Sequence, residues 1–289
     1  YMAATIDRLN KNEGEWNKIA KAYKANYPEL YDALMSELKG KLSAEELSAK
    51  LAPSEKDDAS RSYSGNVLNA IADVLPNFIG GSADLAPSNK TYLKGKGDYG
   101  ANDRTGRNIG FGIREHAMAA ICNGVKLHGG FNIFCGTFFV FSDYMKNAMR
   151  MSAIMNLPVT YVLTHDSIGV GEDGPTHQPV EHLAALRSMP NMKVFRPADS
   201  SETVDAYVSA LTGKGPTAIV CSRQTLAQYP HERGEGFKGG YILADSEKEI
   251  PDVILMASGS EVGAIMQARE MLKGMNIDAR VVSMPCLEL

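Results

Sequence analysis

The sequence lacks the features that mark membrane, secreted and nucleic-acid-binding proteins. No apolar run approaches the roughly 20 residues that cross a bilayer, and the first residues, YMAATIDRLNKNEGEW, lack the apolar core of a signal peptide. With 30 basic against 34 acidic residues, the net charge of −4 gives no electrostatic reason to expect nucleic acid or an anionic membrane as a partner. We therefore expect a soluble, cytoplasmic protein with neither of these partners.

Cysteine is scarce and scattered. No CxxC pair occurs, and each of the four cysteines stands in an apolar stretch: Cys122, Cys135, Cys221 and Cys286. Zinc sites and disulfide frameworks in small domains use more closely spaced cysteines. The pattern predicts reduced, buried thiols.

The 289 residues suffice for one large domain or two ordinary ones, and the average composition excludes disordered, collagen-like and coiled-coil chains. Residues 1–58 are rich in charge, and their apolar residues recur at helical spacing. They predict a helical arm that packs on something else by one stripe. Gly40 marks the end of one helix, and Ser43 with Glu46 forms a capping box for the next.

Residues 59–232 alternate short apolar runs with helical patterns. The predicted helices are 60–74, 115–128, 138–155, 181–187 and 201–212. The predicted strands are 78–80, 109–111, 131–135, 159–164, 193–195 and 217–221. The run 159–163 is almost continuously apolar, as strands are when helices cover both faces of a parallel sheet. We predict a doubly wound α/β domain.

A second pattern begins at residue 239. A strand at 252–256, a helix at 261–273 and a strand at 279–283 form one βαβ unit, which leaves six residues. Because one such unit does not bury both faces of a sheet, we interpret 239–289 as the truncated beginning of a second α/β domain.

The most informative stretch is THDSIGVGEDGPTHQP, residues 164–179. It follows a buried strand and so lies at the carboxyl end of the sheet, where open α/β folds bind ligands. Two imidazoles, His165 and His177, and three carboxylates stand among glycines, and a ligand best explains so polar a loop. A metal site is an alternative, although the spacing fits no standard zinc motif. A purely structural polar loop is the other.

A second candidate is Glu115 in GFGIREHAMAA, residues 110–120. The residue opens an otherwise apolar helix, where loss of hydration favours the protonated carboxyl. The alternative is an ordinary first-turn acid that interacts with the helix dipole.

Two more segments carry candidate groups. GTFFVFSDY, residues 136–144, spaces Phe138, Phe141 and Tyr144 three residues apart. Such a stripe is more often core than cofactor platform. GGSADLAPSN, residues 80–89, is by itself a good turn at a strand end.

Taken together, these segments resemble transketolase, the thiamine-diphosphate-dependent family of the pentose phosphate pathway. The motifs follow the family's order and approximate spacing: Arg61, GGSADLAPSN, GIREHAM, TFFVFSDY, THDSIGVGEDGPTHQP, SRQTLAQ (222–228) and ASGSEV (257–262). The likeness runs from about residue 15 to the end. It implies a thiamine-diphosphate-binding fold of the pyrimidine-binding type, preceded by the helical arm and followed by the start of the C-terminal domain.

The resemblance implies roles for five residues around the cofactor. Glu115 matches the glutamate that hydrogen-bonds the aminopyrimidine ring nitrogen. A proton on that nitrogen favours the imino tautomer, whose exocyclic nitrogen removes the thiazolium proton. Phe138, Phe141 and Tyr144 match the pocket that stacks on the pyrimidine, and Asp84 matches an aspartate near the cofactor at the subunit interface.

The resemblance also implies a substrate site and a reaction. Four residues match the family's sugar-phosphate contacts: Arg61, Ser88, His165 and Arg223. Asp173 matches the residue that reads the hydroxyl next to the reacting carbon, and His177 matches a histidine at the donor's reacting hydroxyl and carbonyl. The implied reaction transfers a two-carbon ketol unit from a ketose phosphate to an aldose phosphate.

The family's diphosphate-binding domain has no counterpart in this sequence. That domain grips the diphosphate and holds magnesium or calcium, so we expect the metal to be bound outside this chain, with no metal ligand within it. We expect the diphosphate-binding domain of a partner subunit to complete the site in a homodimer, and the chain alone to be inactive.

Three other readings remain open. The chain can be a subunit of a split transketolase, and the helical arm then offers a surface for the separate chain. It can belong to a dihydroxyacetone synthase or a deoxyxylulose phosphate synthase, which share the cofactor machinery. It can be a binding module without catalysis, although Glu115 together with the whole phosphate set favours an enzyme.

Overall fold

The computed structural model describes residues 1–39 and 43–289. The chain forms two compact units, one of residues 1–41 with 129–131 and the other of residues 42–128 with 132–289. Residues 43–58 of the predicted arm therefore cluster with the α/β part. The predicted domain boundaries at 58 and 239 fall inside the second unit and stay predictions.

The first unit contains two helices, α1 (Met2–Asn26) and α2 (Pro28–Lys39). Proline at the first position of α2 suits a helix start, where its missing N–H is not needed. Helix α1 has no buried residue, and large apolar side chains such as Trp16 and Ile19 are exposed. The predicted helical character of the arm is confirmed here.

The second unit holds eight further helices within its described residues. They are α3 (Ala44–Lys50), α4 (Ser60–Val74), α5 (Ala86–Asn89), α6 (Glu115–His128), α7 (Ser142–Ile154), α8 (His182–Arg187), α9 (Ser200–Thr212) and α10 (Glu261–Gly274). The predicted cap of α3 is present, because the Ser43 hydroxyl accepts the backbone N–H of Glu46 at 3.3 Å. The predicted helix end at Gly40 lies outside the described residues.

Twelve strands alternate with these helices in the described chain. They are β1 (Asp58–Ala59), β2 (Phe78–Ser82), β3 (Asp98–Tyr99), β4 (Asn108–Gly110), β5 (Asn132–Phe138), β6 (Thr160–Thr164), β7 (Lys193–Phe195), β8 (Thr217–Cys221), β9 (Thr225–Leu226), β10 (Tyr241–Ala244), β11 (Val253–Ala257) and β12 (Ala279–Ser283). The six strands predicted in 59–232 and the two predicted in 239–289 are all present, with ends shifted by at most three residues.

Seven strands form one parallel sheet in the order β3-β4-β2-β5-β6-β8-β7, which confirms the doubly wound prediction. Alternate residues of β6 face opposite cores: Tyr161 and Leu163 pack with residues of α6 and α7, and Val162 packs with residues of α4 and α9. Burial on both faces is why this strand is apolar along its whole length.

The predicted helix 138–155 is wrong at its beginning. Strand β5 continues to Phe138, which pairs in register with Thr164, and a 3-10 turn at Phe139–Phe141 precedes α7. Ladder pairing with β6 outweighs the local helical spacing of the aromatic residues. Phe138, Phe141 and Tyr144 therefore do not share one helical face.

The smaller sheet has the order β10-β12-β11. Strands β11 and β12 are parallel and joined by α10, as the βαβ prediction required, and β10 adds an antiparallel strand that was not predicted. Ile254 and Met256 on β11 are exposed, so one face of this sheet carries apolar side chains without cover from the described residues.

Within residues 1–39 and 43–289, no helix is both long enough and apolar enough to span a membrane.

Candidate active site

The predicted site residues gather at the carboxyl edge of the seven-stranded sheet. Asp84 follows β2, Glu115 opens α6 after β4, and Phe141 follows β5. The later strands β3 and β4 lie on one side of β2 and β5 lies on the other, so the strand order reverses there. A reversal opens a crevice outside the carboxyl ends of the strands.

A cleft of about 510 Å³ occupies this position. Its lining brings together three of the four sequence segments singled out above: Ala83, Asp84, Leu85, Ile113, Glu115, Phe141 and Tyr144. Only 8% of Glu115 is exposed, and no donor within the described part of the chain bonds its carboxyl. The cleft thus combines apolar and aromatic walls with a buried carboxyl that has hydrogen-bonding capacity to offer a ligand.

The aromatic residues form a continuous set that reaches from this cleft to the histidines. The rings of Phe138 and Phe141 are parallel, with centroids 5.9 Å apart, and Tyr144 lies 6.0 Å from Phe141. Phe138 also packs on His165 at 3.7 Å, and the His177 ring meets Phe141 edge-on at 5.3 Å. Of these three aromatic residues, Phe141 and Tyr144 line the cleft and Phe138 does not.

Two guanidiniums stand beside the histidines. Arg61 Nη1 donates to the carbonyl oxygen of Ser88 at 3.0 Å and lies 3.4 Å from His165 Nε2, while Arg61 Nε is buried without a partner. Burial and the nearby charge of Arg223 lower the pKa of Arg61. Cations that repel one another in a partly buried place gain from an anion between them.

His165, which lies beside Arg61, is neutral. His165 is 2% exposed, and burial, followed by the charge of Arg61, lowers its pKa to about 4. The charge of Asp173, which is exposed at the surface of the loop, acts in the opposite direction. At pH 7 the ring therefore carries a single N–H.

The loop 164–179 owes its close approach to Arg223 to a glycine. Gly171 has φ +86°, and a Cβ there would lie 3.0 Å from Nη1 of Arg223. Any other side chain would be strained by the backbone and would crowd the guanidinium. Arg223 Nη2 lies 3.3 Å from a carboxylate oxygen of Glu172, which is itself exposed.

In the described residues, side chains of metal-ligand type converge at one place, formed by Asp143, Glu181 and His182. His182 Nε2 lies 3.1 Å from Asp143 Oδ2. None of the three belongs to the loop 164–179, where the sequence leaves a metal site as an alternative.

Three polar residues that contact the predicted site residues or their loop were not predicted from the sequence. Asn89 and Thr164 are fully buried and connect to His165, and Arg196 bonds Asp166, the next residue of the loop. The signal was a threonine at the end of an apolar strand and an asparagine at the end of a turn. A hydroxyl or an amide in such places has many ordinary explanations.

Two models of known domain families match residues of the second unit. The model of the transketolase pyrimidine-binding domain matches residues 57–228, and that of the transketolase-like C-terminal domain matches residues 239–289. The first match covers more than half of the chain.

Individual proteins agree with these matches. The chain is 50% identical over 295 residues to the transketolase of Bacillus subtilis, covering 100% of this chain and 44% of that protein. The solved transketolase of Pichia stipitis in complex with sedoheptulose 7-phosphate superposes with a TM-score of 0.92 at 42% identity, covering 98% of this chain and 43% of that one.

A second similar structure is that of a split-gene transketolase described as an inactive β4 tetramer. Its TM-score is 0.66 at 29% identity, with 81% of this chain and 73% of that chain covered. The chain thus spans less than half the length of the first two relatives and a larger share of the split-gene protein.

Proposed function

The chain belongs to the transketolase family, and from this membership we propose that it builds the pyrimidine-binding half of a thiamine-diphosphate site for ketol transfer. The two-carbon unit passes from a ketose phosphate to an aldose phosphate, as in the pentose phosphate pathway. The observation that carries the proposal is the cleft, which brings Asp84, Glu115, Phe141 and Tyr144 together from three separate segments.

The lining of the cleft fits the heteroaromatic part of the cofactor. Phe141 and Tyr144 offer faces for a flat ring, and Phe138 supports Phe141 from behind. Glu115 offers a hydrogen bond from a buried carboxyl. When bound, thiamine diphosphate supplies the carbon nucleophile and the electron sink of the reaction. We propose that five residues bind the cofactor: Asp84, Glu115, Phe138, Phe141 and Tyr144.

In this proposal, Glu115 shares a proton with the pyrimidine ring of the cofactor. Its carboxyl holds a proton between one oxygen and a ring nitrogen, in a place where apolar walls exclude water. His177 stands at the edge of Phe141 and is half-buried, which suits contact with the reacting hydroxyl and carbonyl of the donor sugar. We assign catalytic roles to these two residues.

The sugar phosphate binds on the other side of the aromatic set. Arg61 and Arg223 provide the positive charge for a phosphate dianion, and Ser88 and His165 lie beside Arg61. The negative charge of Asp173 acts on His165. We assign Asp173 to contact with the sugar hydroxyl next to the reacting carbon.

A second subunit completes the site. Apolar side chains are exposed on α6, on α7 and beside the cleft: Ile113, Ile121, Tyr144, Met151 and Ile154. A patch of this kind marks an interface, and we propose a homodimer in which the partner's diphosphate-binding domain, with its magnesium or calcium ion, closes the cleft. The four cysteines are free and buried, which supports a reducing compartment, the cytoplasm.

The second candidate is a subunit of a split transketolase. The observation in its favour is the similarity to the split-gene protein, of which the chain covers 73%. In this arrangement a separate chain provides the diphosphate-binding domain. The two candidates share the cleft and differ only in which polypeptide carries that domain.

Glu115→Gln tests the proposed function in the enzyme completed by its diphosphate-binding part. The amide fills the same space but cannot give its proton to the ring nitrogen, so we expect turnover to fall by at least about a hundredfold, the lower range for general acid–base catalysis. Cofactor affinity, measured by titration calorimetry, should fall only modestly. The exposed Glu249→Gln is the matched control. A Glu115→Gln enzyme with normal ketol transfer would remove this residue from catalysis.

A further inference from the structure

A chain of buried hydrogen bonds runs from the sheet to His165. Ser82 Oγ donates to the carbonyl oxygen of Gly136 at 2.9 Å, and Asn89 Nδ2 lies 2.8 Å from Ser82 Oγ. Thr164 Oγ1 lies 2.7 Å from Asn89 Oδ1 and 2.9 Å from His165 Nδ1. Each of the four polar side chains is nine-tenths or more buried, so water does not substitute for any of these partners.

The Gly136 carbonyl, at one end of this series of hydrogen bonds, fixes the direction of every bond in it. A carbonyl oxygen only accepts, so the Ser82 hydroxyl spends its proton on Gly136 and must receive one from the Asn89 amide. The Asn89 oxygen then faces Thr164, which donates to it. With its proton used there, Thr164 Oγ1 accepts from the imidazole, which places the ring proton on Nδ1 of His165.

The other end of the chain requires the same direction. His165 Nε2 lies 3.4 Å from Arg61 Nη1, and a guanidinium nitrogen only donates. Reversing every bond would place an N–H of the ring against an N–H of Arg61. It would also leave Ser82 Oγ and the Gly136 oxygen 2.9 Å apart with no proton between them. Both ends therefore select one polarity.

We propose that Asn89 and Thr164 are positioning residues that hold neutral His165 with its proton on Nδ1, so that Nε2 accepts from Arg61 and aims this guanidinium into the anion site. The role of Arg61 toward an anion rests on the proposed function. The tautomer of His165 rests only on the hydrogen bonds described here.

One consequence concerns how the anion is held. In this tautomer the lone pair of Nε2 faces Arg61, and the guanidiniums of Arg61 and Arg223 are the charged donors for the anion. The left-handed backbone of His165, with φ +62°, is part of the placement that allows the ring to meet both Thr164 and Arg61.

Nitrogen NMR of the full chain labelled with ¹⁵N-histidine at pH 7 tests the tautomer directly. The signal of His165 is assigned by its loss in His165→Asn. We expect a protonated Nδ1 and an unprotonated Nε2 in the wild-type protein. A neutral ring with its proton on Nε2, or a doubly protonated ring, in the wild-type protein would overturn the proposal.

Thr164→Val removes the acceptor while it keeps the shape, so we expect Nδ1–H of His165 to lose its hydrogen bond and its nitrogen signal to shift. Thr164→Ser should restore the wild-type signal. Thr160→Val is the matched control, because Thr160 lies on the same strand, is fully buried and has a hydroxyl without a partner. An unchanged His165 spectrum in a folded Thr164→Val protein would contradict the proposal.

Binding of inorganic phosphate separates this inference from the proposed function. We expect Thr164→Val to weaken phosphate binding about tenfold, equivalent to about 1.4 kcal/mol, and Thr160→Val to leave it unchanged. If the tautomers behave as expected but wild-type protein binds no phosphate, the anion site fails and the positioning of His165 stands. If phosphate binds equally to both variants, Thr164 does not aim Arg61.

Discussion

The two arginines of the proposed phosphate site, Arg61 and Arg223, differ in how firmly the protein holds them. Arg61 is fixed by the Ser88 carbonyl and by His165. Arg223 makes an ion pair with Glu172, whose side chain is 84% exposed. A pair so accessible to water contributes about 0–1 kcal/mol to stability, so Arg223 can leave Glu172 at little cost and turn to a ligand.

Arg223→Ala should therefore mainly raise the KM for phosphorylated sugars in the completed enzyme. A charge-assisted hydrogen bond contributes roughly 1.5–3 kcal/mol, which corresponds to an increase of about tenfold or more. A ketose without phosphate should show no change in KM. Arg104→Ala, at an exposed arginine, is the control. An unchanged KM for the phosphorylated sugar would exclude Arg223 from the phosphate site.

At the scale of elements, strand β2 positions the cleft because its neighbours approach it closely. A Cβ on Gly81 would lie 1.9 Å from the carbonyl oxygen of Ile109 on β4, and one on Gly80 would lie 2.3 Å from that of Phe134 on β5. Both contacts are with backbone, which cannot move aside without breaking the ladder. The two glycines therefore let β2 sit between its partners directly before Asp84.

Gly81→Ala should destabilise the protein by about 2 kcal/mol, the middle of the range for overpacking. Denaturant unfolding measures this change. Gly274→Ala at the end of α10 is the control, since nothing lies within 4 Å of the added methyl, and it should change stability by less than about 1 kcal/mol. Equal stability of the two variants would show that β2 tolerates a side chain there.

At the scale of the whole second unit, two buried polar groups join distant segments. Arg196 bonds Asp166 of the site loop and also Ser260 and Glu261 at the start of α10. His231 Nε2 lies 2.9 Å from Asp199 Oδ2, and the same carboxylate caps α9 through the Glu202 N–H. Contacts of this kind couple the α/β sheet to the residues that follow it.

His231 makes stability depend on pH. Burial alone would lower its pKa, but the hydrogen bond and charge of Asp199 outweigh burial and raise the pKa to about 9. Because the pKa of His231 is raised in the folded protein, its interaction with Asp199 stabilises the fold fully below pH 6.5, the ordinary pKa of histidine. This stabilisation is lost as the pH rises toward 9. Burial and Asp199 raise the pKa of nearby Glu202 to about 7, so its contribution also falls with pH but changes mainly below pH 7.

Melting temperatures between pH 7 and pH 9.5 test this dependence. We expect a clear fall for the wild-type protein and a flatter profile for His231→Gln, which cannot lose a proton. His116→Gln, at an exposed histidine, should behave as the wild-type protein. Parallel profiles for all three proteins would mean that the pair of His231 and Asp199 does not carry the effect.

The sequence predicted the elements well because their signals are local. The apolar run of β6, the periodicity of α4 and the βαβ pattern of β11, α10 and β12 each follow from burial of neighbouring residues along the chain. It did not predict where β5 ends, because the pairing of Phe138 with Thr164 depends on a strand more than twenty residues away. The short strands β1, β3, β9 and β10 were missed for the same reason.

By itself the sequence determined the doubly wound class, the family and the residue types of the site, since motif order and hydrophobic pattern are properties of the chain alone. Only the tertiary structure decided that Asp84, Glu115, Phe141 and Tyr144 share one cleft. It alone also decided that Asn89 and Thr164 reach His165. Parallel strands bring their carboxyl ends to one edge regardless of separation along the chain, and the direction of a hydrogen bond depends on the partner that folding supplies.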